Sequence, residues 1–282
     1  MDDLLAIARI AAWKTAEILL AAQQGDLTVD DAGDGPVTNA DRAANECILT
    51  TLQSQLDPAQ FGYLSEETYK LQAAGDRPQP LGQPAVWIID PLDGTKDFIQ
   101  KTGEFAVHLA LVQGGRPVLA VVGCPAQGKL YYAIQNQGTF VEHKNGSTQR
   151  LQVSPRSQVE ELVVVTSRSH RSDRFNRLMA QFPAQNQLSV GSLGGKIAAI
   201  VEQRADVYVS LSGASAPKDW DLAAPELILT EAGGQLTRFD GSRLTYNGPD
   251  VSQWGGLLAT NGCCHQALCA AATEILATID PG

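Results

Sequence analysis

The sequence predicts a mixed fold, with an α+β part over residues 1–150 and an α/β part over residues 151–282. Three observations predict it. The chain opens with helical apolar periodicity, continues with apolar residues that alternate at period two between turns, and then alternates short apolar strands with helical segments. No linker between the two parts is long or disordered enough to mark a boundary.

Two helices are predicted at the start of the first part. Apolar residues recur at helical spacing over 3–24, and again over 39–56. A loop rich in Gly and Asp, 25–36, joins them. A Pro/Gly-rich stretch at 73–84 predicts a surface connection before the chain enters its apolar strands.

Three antiparallel strands are predicted next, at 105–112, 117–123 and 129–134, because their apolar residues alternate. Gly114 with Gly115 and Gln127 with Gly128 supply the turns. In the second part we predict strands at 162–166, 188–191, 205–211 and 235–238. Between them we predict helices at 172–181, 194–203 and 222–232.

Composition describes a globular protein, with 282 residues, 44% of them hydrophobic and 18% charged. The formal net charge of −10 argues against a nucleic acid polymer as a partner, because such partners need basic surfaces. It is compatible with a small phosphorylated substrate, because bound cations can reverse the local field.

The chain has five cysteines, an odd number, and they lack the paired spacing of a zinc site. We interpret them as reduced thiols of a cytoplasmic protein, with a redox pair at Cys263 and Cys264 as the alternative. Asp2 and Asp3 stand where a signal or transit peptide would carry basic residues. The lack of any run of about 18 apolar residues predicts that no segment spans a membrane.

The segment around Asp90 carries most of the chemical information. An apolar run leads into Asp90 and Asp93, where we expect Pro91 to end a buried strand and Gly94 to permit a sharp turn. Both carboxylates can then hold a hard divalent cation at the mouth of the strand. The amides of Gly94 and Thr95 follow at the start of a helix, where a phosphate is favoured. The alternative is a plain Asp-Gly turn between a strand and a helix.

Other acidic segments have structural explanations when each is taken alone. Glu66 and Glu67 suit a solvated loop, whereas Thr38 and Asp41 suit the N-cap and first-turn acid of a helix. Asp221 suits a helix start in the same way. Their joint appearance with the aspartate loop favours one shared site.

The order of these motifs resembles a known family. Thr-x-Ala-Asp ending at Asp41, Ser-Glu-Glu ending at Glu67, Asp-Pro-Leu-Asp-Gly-Thr from Asp90 and Trp-Asp-x-Ala-Ala-x-Glu from Trp220 are similar to the inositol monophosphatase superfamily. Its members are lithium-sensitive, magnesium-dependent phosphomonoesterases. Gly-Thr-Lys-Asp-Phe from Gly94 resembles the version found in 3'(2'),5'-bisphosphate nucleotidases. The resemblance spans about residues 41–234 and implies a layered α/β/α/β/α sandwich with the site between its halves.

The resemblance also implies roles for individual residues. Two or three Mg²⁺ ions would be held by acidic side chains and one main-chain carbonyl: Glu66, Asp90, Asp93, Asp221 and the carbonyl of Leu92. Thr95 would orient the attacking water, and Asp41 would accept its proton. Glu67 would lie outside the metal shell.

Two further segments resemble the nucleotidase segments that meet the second phosphate and the nucleoside. They imply substrate contacts from His170, Ser192 and Lys196, besides the Gly94 and Thr95 amides. The alternative for Lys196 is a surface lysine at a Gly-rich helix start, and His170 could instead be structural.

The glycine-rich run before Lys196 is not a P-loop. Val190 occupies the position of the required first glycine, and Ile197 follows where Ser or Thr is required. Arg168 could be structural or functional, and the other histidines are interpreted as structural or exposed: His108, His143 and His265.

The sequence thus predicts an enzyme that removes the 3'-phosphate from 3'-phosphoadenosine 5'-phosphate, with 3'-phosphoadenylyl sulfate as a second substrate. One alternative is a phosphatase of the same superfamily acting on inositol phosphates or a fructose bisphosphate. Another is a non-catalytic regulator that binds metal or nucleotide. The expected partner is a small phosphorylated nucleotide or inositol compound, and the sequence leaves the oligomeric state open.

Overall fold

The computed structural model describes residues 1–31, 35–72, 80–168 and 172–280. Its helices are α1 (Asp2–Ala22), α2 (Asn39–Gln53), α3 (Glu66–Leu71), α4 (Thr95–Ile99), α5 (Asp173–Gln181), α6 (Leu193–Val201), α7 (Asp219–Glu231) and α8 (His265–Ile279). Its strands are β1 (Val29–Asp31), β2 (Pro36–Thr38), β3 (Phe61–Ser65), β4 (Ala85–Asp93), β5 (Ala106–Gln113), β6 (Arg116–Cys124), β7 (Lys129–Ile134), β8 (Gly138–His143), β9 (Thr148–Leu151), β10 (Val163–Thr166), β11 (Asn186–Ser189), β12 (Val207–Leu211), β13 (Gln235–Arg238) and β14 (Gly256–Thr260). Across these residue ranges, every helix is too short or too polar to cross a bilayer.

The larger sheet has seven strands in the order β3-β4-β5-β6-β7-β8-β9. Strands β3 and β4 are parallel, and the later neighbours are antiparallel. The three predicted antiparallel strands are confirmed as β5, β6 and β7. Gly114, Gly115 and Gly128 all have positive φ in the connecting turns, which explains why glycine is used there.

One prediction about the aspartate loop is wrong. Pro91 does not end the strand, because β4 continues to Asp93 with a register shift between Asp90 and Asp93. Proline has no amide proton to donate, so a bulge accommodates it, and pairing resumes with Asp93 opposite Ala106. Both aspartates are therefore anchored to the sheet instead of lying in a free loop.

The smaller sheet has five strands in the order β11-β10-β12-β14-β13. Strand β10 is parallel to β11 and β12, whereas β14 is antiparallel to β12 and β13. The strand predicted at 188–191 lies two residues too late, because Val190 and Gly191 belong to the loop before α6. The helix predicted at 222–232 begins earlier, at Asp219.

The elements stack in five layers, as the resemblance to the superfamily implied. Helices α1 and α2 cover one face of the larger sheet with a shared apolar core. A second core packs α6 and α7 between the two sheets, and a third places α5 and α8 on the outer face of the smaller sheet. The core between the two sheets contains residues from both sides of residue 150. The division of the chain into two parts at that residue stays a prediction.

Candidate active site

The aspartate loop is fixed where β4 meets α4. Asp90 is buried, and its carboxylate accepts a hydrogen bond of 3.0 Å from the amide of Leu92. Gly94 has φ of 87° and ψ of 41°, a left-handed conformation that glycine adopts without strain. This turn places Thr95 at the start of α4, directly beside the bulged aspartates.

Thr95 and Asp41 lie close together in the structure. The Thr95 hydroxyl lies 3.3 Å from Asp41 Oδ1 and 3.2 Å from the carbonyl oxygen of Leu92. Asp41 also completes a capping box, because its Oδ2 accepts bonds from the Thr38 amide at 2.7 Å and the Thr38 hydroxyl at 2.6 Å. The helix-cap interpretation of Asp41 is therefore correct, and the same carboxylate also faces the candidate site.

Burial raises the pKa of Asp41, and the charge of Glu66 raises it further against the opposing hydrogen bonds from Thr38. A carboxylate in this state binds a proton more readily than an exposed one. The geometry and the pKa together suit a proton acceptor.

Four carboxylates from distant parts of the chain act on one another. Burial raises the pKa of Asp90 well above its ordinary value, and the charges of Glu66, Asp93 and Asp221 raise it further. Burial and the charge of Glu66 likewise raise the pKa of Asp221 to about 7. Glu66 begins α3 and Asp221 lies in the first turn of α7, so the structure brings both halves of the chain to Asp90.

Asp93 has the opposite pKa shift. Burial alone would raise its pKa, but His108, Lys196 and the amide of Gly194 lower it below the ordinary value. The Gly194 amide donates to Asp93 Oδ2 at 2.8 Å, and His108 Nε2 lies 3.2 Å from the same oxygen. Asp93 is thus ionised and held between the two halves.

Each remaining carboxylate is also turned toward a protein donor. Lys70 lies 2.7 Å from Glu66, and the Lys218 amide donates to Asp221 at 2.6 Å. In the described ranges, no three Asp, Glu, His or Cys side chains already enclose a point where a metal would bind. The donor set nevertheless fits a hard cation, since Asp90 is buried among three other carboxylates whose repulsion a divalent ion would relieve.

His108 is a site residue that sequence reasoning missed. It is fully buried on β5 and pairs in register with Asp90, and its Nδ1–H donates to the carbonyl oxygen of Trp220 at 3.3 Å. A strand-pairing argument could have found it, because the predicted strand at 105–112 follows the aspartate strand directly. Its position beside Asp93 depends on the exact register, which the bulge changes.

The start of α6 closes the site from the second half. Ser192, predicted to contact substrate, is the N-cap of α6, and its hydroxyl accepts from the Gly195 amide at 3.0 Å. Gly194 cannot be replaced easily, because a Cβ there would lie 2.4 Å from His108 Nε2 and 2.8 Å from Ala106 Cβ. Close contact between α6 and β5 therefore requires glycine.

Lys196 is not the surface lysine of the alternative interpretation. Lys196 is only 3% exposed, and its Nζ donates to the carbonyl oxygen of Gly191 at 2.7 Å. Burial lowers its pKa to about 8, although the charges of Asp93 and Asp97 oppose the shift. A direct contact of Lys196 with a substrate phosphate stays a prediction. His170 lies outside the described residues.

The chain belongs to the inositol monophosphatase family, whose model matches residues 1–277. A relative from Salmonella typhimurium, the 3'(2'),5'-bisphosphate nucleotidase CysQ, is 35% identical over 216 residues, covering 76% of this chain and 80% of that protein. A histidinol-phosphatase from Mycobacterium tuberculosis is 30% identical over 264 residues, covering 91% and 90%.

Solved structures agree with this membership. CysQ from Bacteroides thetaiotaomicron, a bacterial member of the inositol monophosphatase family, matches with a TM-score of 0.74 and 28% identity, covering 92% of this chain and 97% of that one. The predicted family, layered fold and phosphatase activity are therefore confirmed.

Proposed function

We propose that this phosphatase is Mg²⁺-dependent and removes the 3'-phosphate from 3'-phosphoadenosine 5'-phosphate, with 3'-phosphoadenylyl sulfate as a second substrate. One observation carries the proposal: Asp90 is buried where the charges of Glu66, Asp93 and Asp221 all act on it. Such a cluster is unfavourable unless cations neutralise it, and carboxylate oxygens are the ligands that Mg²⁺ prefers.

In this proposal, the four carboxylates and the carbonyl of Leu92 would hold two or three Mg²⁺ ions. When bound, the ions supply charge neutralisation on the phosphoryl group and a more acidic attacking water. His108 and the Gly194 amide keep Asp93 ionised and fixed in orientation, so that its free oxygen can face the ions.

Thr95 and Asp41 handle the proton in this proposal. The Thr95 hydroxyl can donate to Asp41 Oδ1 or to the Leu92 carbonyl, but it has one proton to give. When it donates to Asp41, its lone pairs can accept a hydrogen bond from a water. Asp41 then receives the proton through the hydroxyl, and its raised pKa favours that transfer.

The phosphoryl oxygens would be met by the main-chain amides of Gly94 and Thr95 at the start of α4. Ser192, Lys196 and His170 are retained as predicted substrate contacts. Ser192 lies beside the catalytic loop, because a Cβ on Gly94 would be 3.2 Å from Ser192 Cβ.

The choice of a bisphosphate nucleotide is supported by the relatives and by one packing relationship. The carboxyl carbon of Asp97, within the nucleotidase-like Lys-Asp-Phe sequence, would lie 2.3 Å from a Cβ on Gly191. The two sequence features are therefore coupled, because Gly191 makes room for Asp97. The loop before α6 therefore packs directly against Asp97, a residue of the nucleotidase-like sequence.

The test is a phosphate-release assay with the purified protein and Mg²⁺. At equal concentrations, 3'-phosphoadenosine 5'-phosphate is compared with inositol 1-phosphate, fructose 1,6-bisphosphate and histidinol phosphate. The proposal expects the highest kcat/KM for the nucleotide. A higher value for any other ester would replace the proposed substrate. No release from any of them would favour a non-catalytic binding protein.

A further inference from the structure

Lys70 brings a positive charge to the candidate metal site. It lies in α3, and its Nζ is 2.7 Å from Glu66 Oε1. The charge of Asp90 also acts on it. The side chains of Lys70 and Glu66 are each only 19% exposed, so water screens this ion pair only in part. Lys70 therefore neutralises part of the carboxylate cluster that the proposed function assigns to Mg²⁺.

Glu67 offers Lys70 a second carboxylate. Its Oε1 lies 3.7 Å from Lys70 Nζ, which is beyond hydrogen-bond range. Glu67 is buried, and no donor in the described part of the chain hydrogen-bonds to this oxygen. An unpaired polar atom is costly in the interior, so Glu67 gains a hydrogen bond if the ammonium of Lys70 moves toward it.

Helical spacing explains why one lysine can serve both carboxylates. Residues three and four positions apart lie on the same face of a helix, and Lys70 follows Glu66 by four positions and Glu67 by three. The stem of a lysine is flexible, so its ammonium can pass from one carboxylate to the other while the helix backbone stays in place.

We propose that Lys70 is a tethered counterion of the metal site, which pairs with Glu66 until a divalent cation binds there and then transfers to Glu67. This inference rests on the Mg²⁺ dependence in the proposed function. Glu67 is a positioning residue, because it acts through Lys70. Mg²⁺ must therefore compete with an internal cation, and the site fills at a higher Mg²⁺ concentration than the four carboxylates alone would set.

The first test measures Mg²⁺ binding by isothermal titration calorimetry, on chelator-treated protein without substrate. Lys70→Met removes the charge and should bind Mg²⁺ about tenfold tighter, because the competing cation is gone. Lys70→Arg keeps the charge, and its affinity should be no higher than that of wild type. Lys129→Met is the matched control, because Lys129 is a partly buried lysine on β7 that pairs with Glu202 at 2.6 Å.

Thermal melts give a second readout. In excess chelator, Lys70→Met should melt at a lower temperature than wild type, since the buried carboxylates lose a counterion. Added Mg²⁺ should then raise the melting temperature more in the variant than in wild type, because the variant binds the ion more tightly. A general folding defect would lower both melting temperatures without enlarging the rise that Mg²⁺ produces.

Glu67→Gln tests the transfer through a double-mutant cycle. Alone, this change should weaken Mg²⁺ binding several-fold, because the displaced ammonium loses its charged partner. In the Lys70→Met background it should change the affinity little, since no ammonium needs the second carboxylate. An equal loss in both backgrounds would mean that Glu67 attracts the ion directly, and the transfer would be refuted.

Weaker or unchanged Mg²⁺ binding in Lys70→Met would overturn the inference, because Lys70 would then support Glu66 as a ligand or have no influence on it. The wild-type protein separates this failure from failure of the proposed function. If wild type releases no heat with Mg²⁺ and its melting temperature does not change, the metal assignment is wrong, and this inference fails with it. If wild type binds Mg²⁺, only the roles of Lys70 and Glu67 are in question.

Discussion

The amide of Gly194 donates a 2.8 Å hydrogen bond to the carboxylate of Asp93, across 101 positions of sequence. Asp93 closes the bulged end of β4, and Gly194 lies in the first turn of α6. The bond ties the larger sheet to the helical layer between the sheets at the candidate site. It also orients one carboxylate oxygen, which leaves the other available to a cation.

Replacement of Gly194 tests this contact. In Gly194→Ala, the added Cβ would lie 2.4 Å from His108 Nε2 and 2.8 Å from Ala106 Cβ, so α6 must move away from β5. We expect a loss of about 1–3 kcal/mol in the free energy of unfolding, measured by urea denaturation. Gly213→Ala is the control, because nothing lies within 4 Å of its Cβ position. Equal effects in both variants would contradict the packing argument.

Asp93→Asn tests the proposed metal ligand. The asparagine oxygen can still accept from Gly194, so the fold should persist while one ligand charge is lost. We expect kcat to fall about a thousandfold, comparable to removal of a major electrostatic stabiliser. Steady-state kinetics at saturating Mg²⁺ provides the measurement, with the exposed Asp240→Asn as control. Retention of a tenth of wild-type turnover would exclude Asp93 as an important ligand.

Much of this site was predictable because its motifs are local in sequence. Asp90, Asp93, Gly94 and Thr95 are close in sequence, and their residue types predicted the strand and the start of the helix but not the bulge at Pro91. The capping box of Asp41 was readable for the same reason. Local patterns specify local geometry, and the antiparallel pairing of β5, β6 and β7 was predicted from their short turns.

What the sequence could not show depends on contacts between distant elements. His108 reaches Asp93 only because β5 pairs with the bulged β4 in one register. Lys196 is buried only because α6 lies between two sheets, whereas the sequence also allowed a surface lysine at a Gly-rich helix start. Glu104 carries no motif that the sequence reading used, yet it contacts Arg168 and the two residues directly before α6, which lie far along the chain.

Metal dependence is tested by chelation. Activity should vanish in excess chelator, return with Mg²⁺, and be lower with Ca²⁺, because the larger and looser Ca²⁺ shell fits poorly. Lithium inhibition is expected from the resemblance to the superfamily. Thermal melts provide a readout besides activity, since a ligand that binds only the folded state raises the melting temperature. Full activity in excess chelator would refute the whole metal assignment.

The pH dependence of the chelated protein's stability should report Asp221. Burial first, and then the charge of Glu66, raise its pKa from 3.8 to about 7. Asp221 therefore binds its proton more tightly in the folded state than in the unfolded state, so its contribution to stability is fully present below about pH 4. It should be lost progressively as the pH rises through 7. Asp221→Asn should flatten this decline in urea titrations between pH 5 and 8, and an unchanged slope would contradict the assigned pKa shift.

Thr95 is predicted to act through its hydroxyl, which joins the attacking water to Asp41. Thr95→Ala removes the group that lies 3.3 Å from Asp41 Oδ1, so kcat should fall about 10²- to 10⁴-fold with little change in KM. Thr95→Ser keeps the hydroxyl and should retain most of the turnover, which makes it the matched control. Asp41→Asn removes the proton acceptor but not the hydroxyl. If the two residues work as one relay, the double variant Asp41→Asn with Thr95→Ala should be little slower than the worse single variant. Multiplication of the two losses would instead mean that Thr95 and Asp41 act independently.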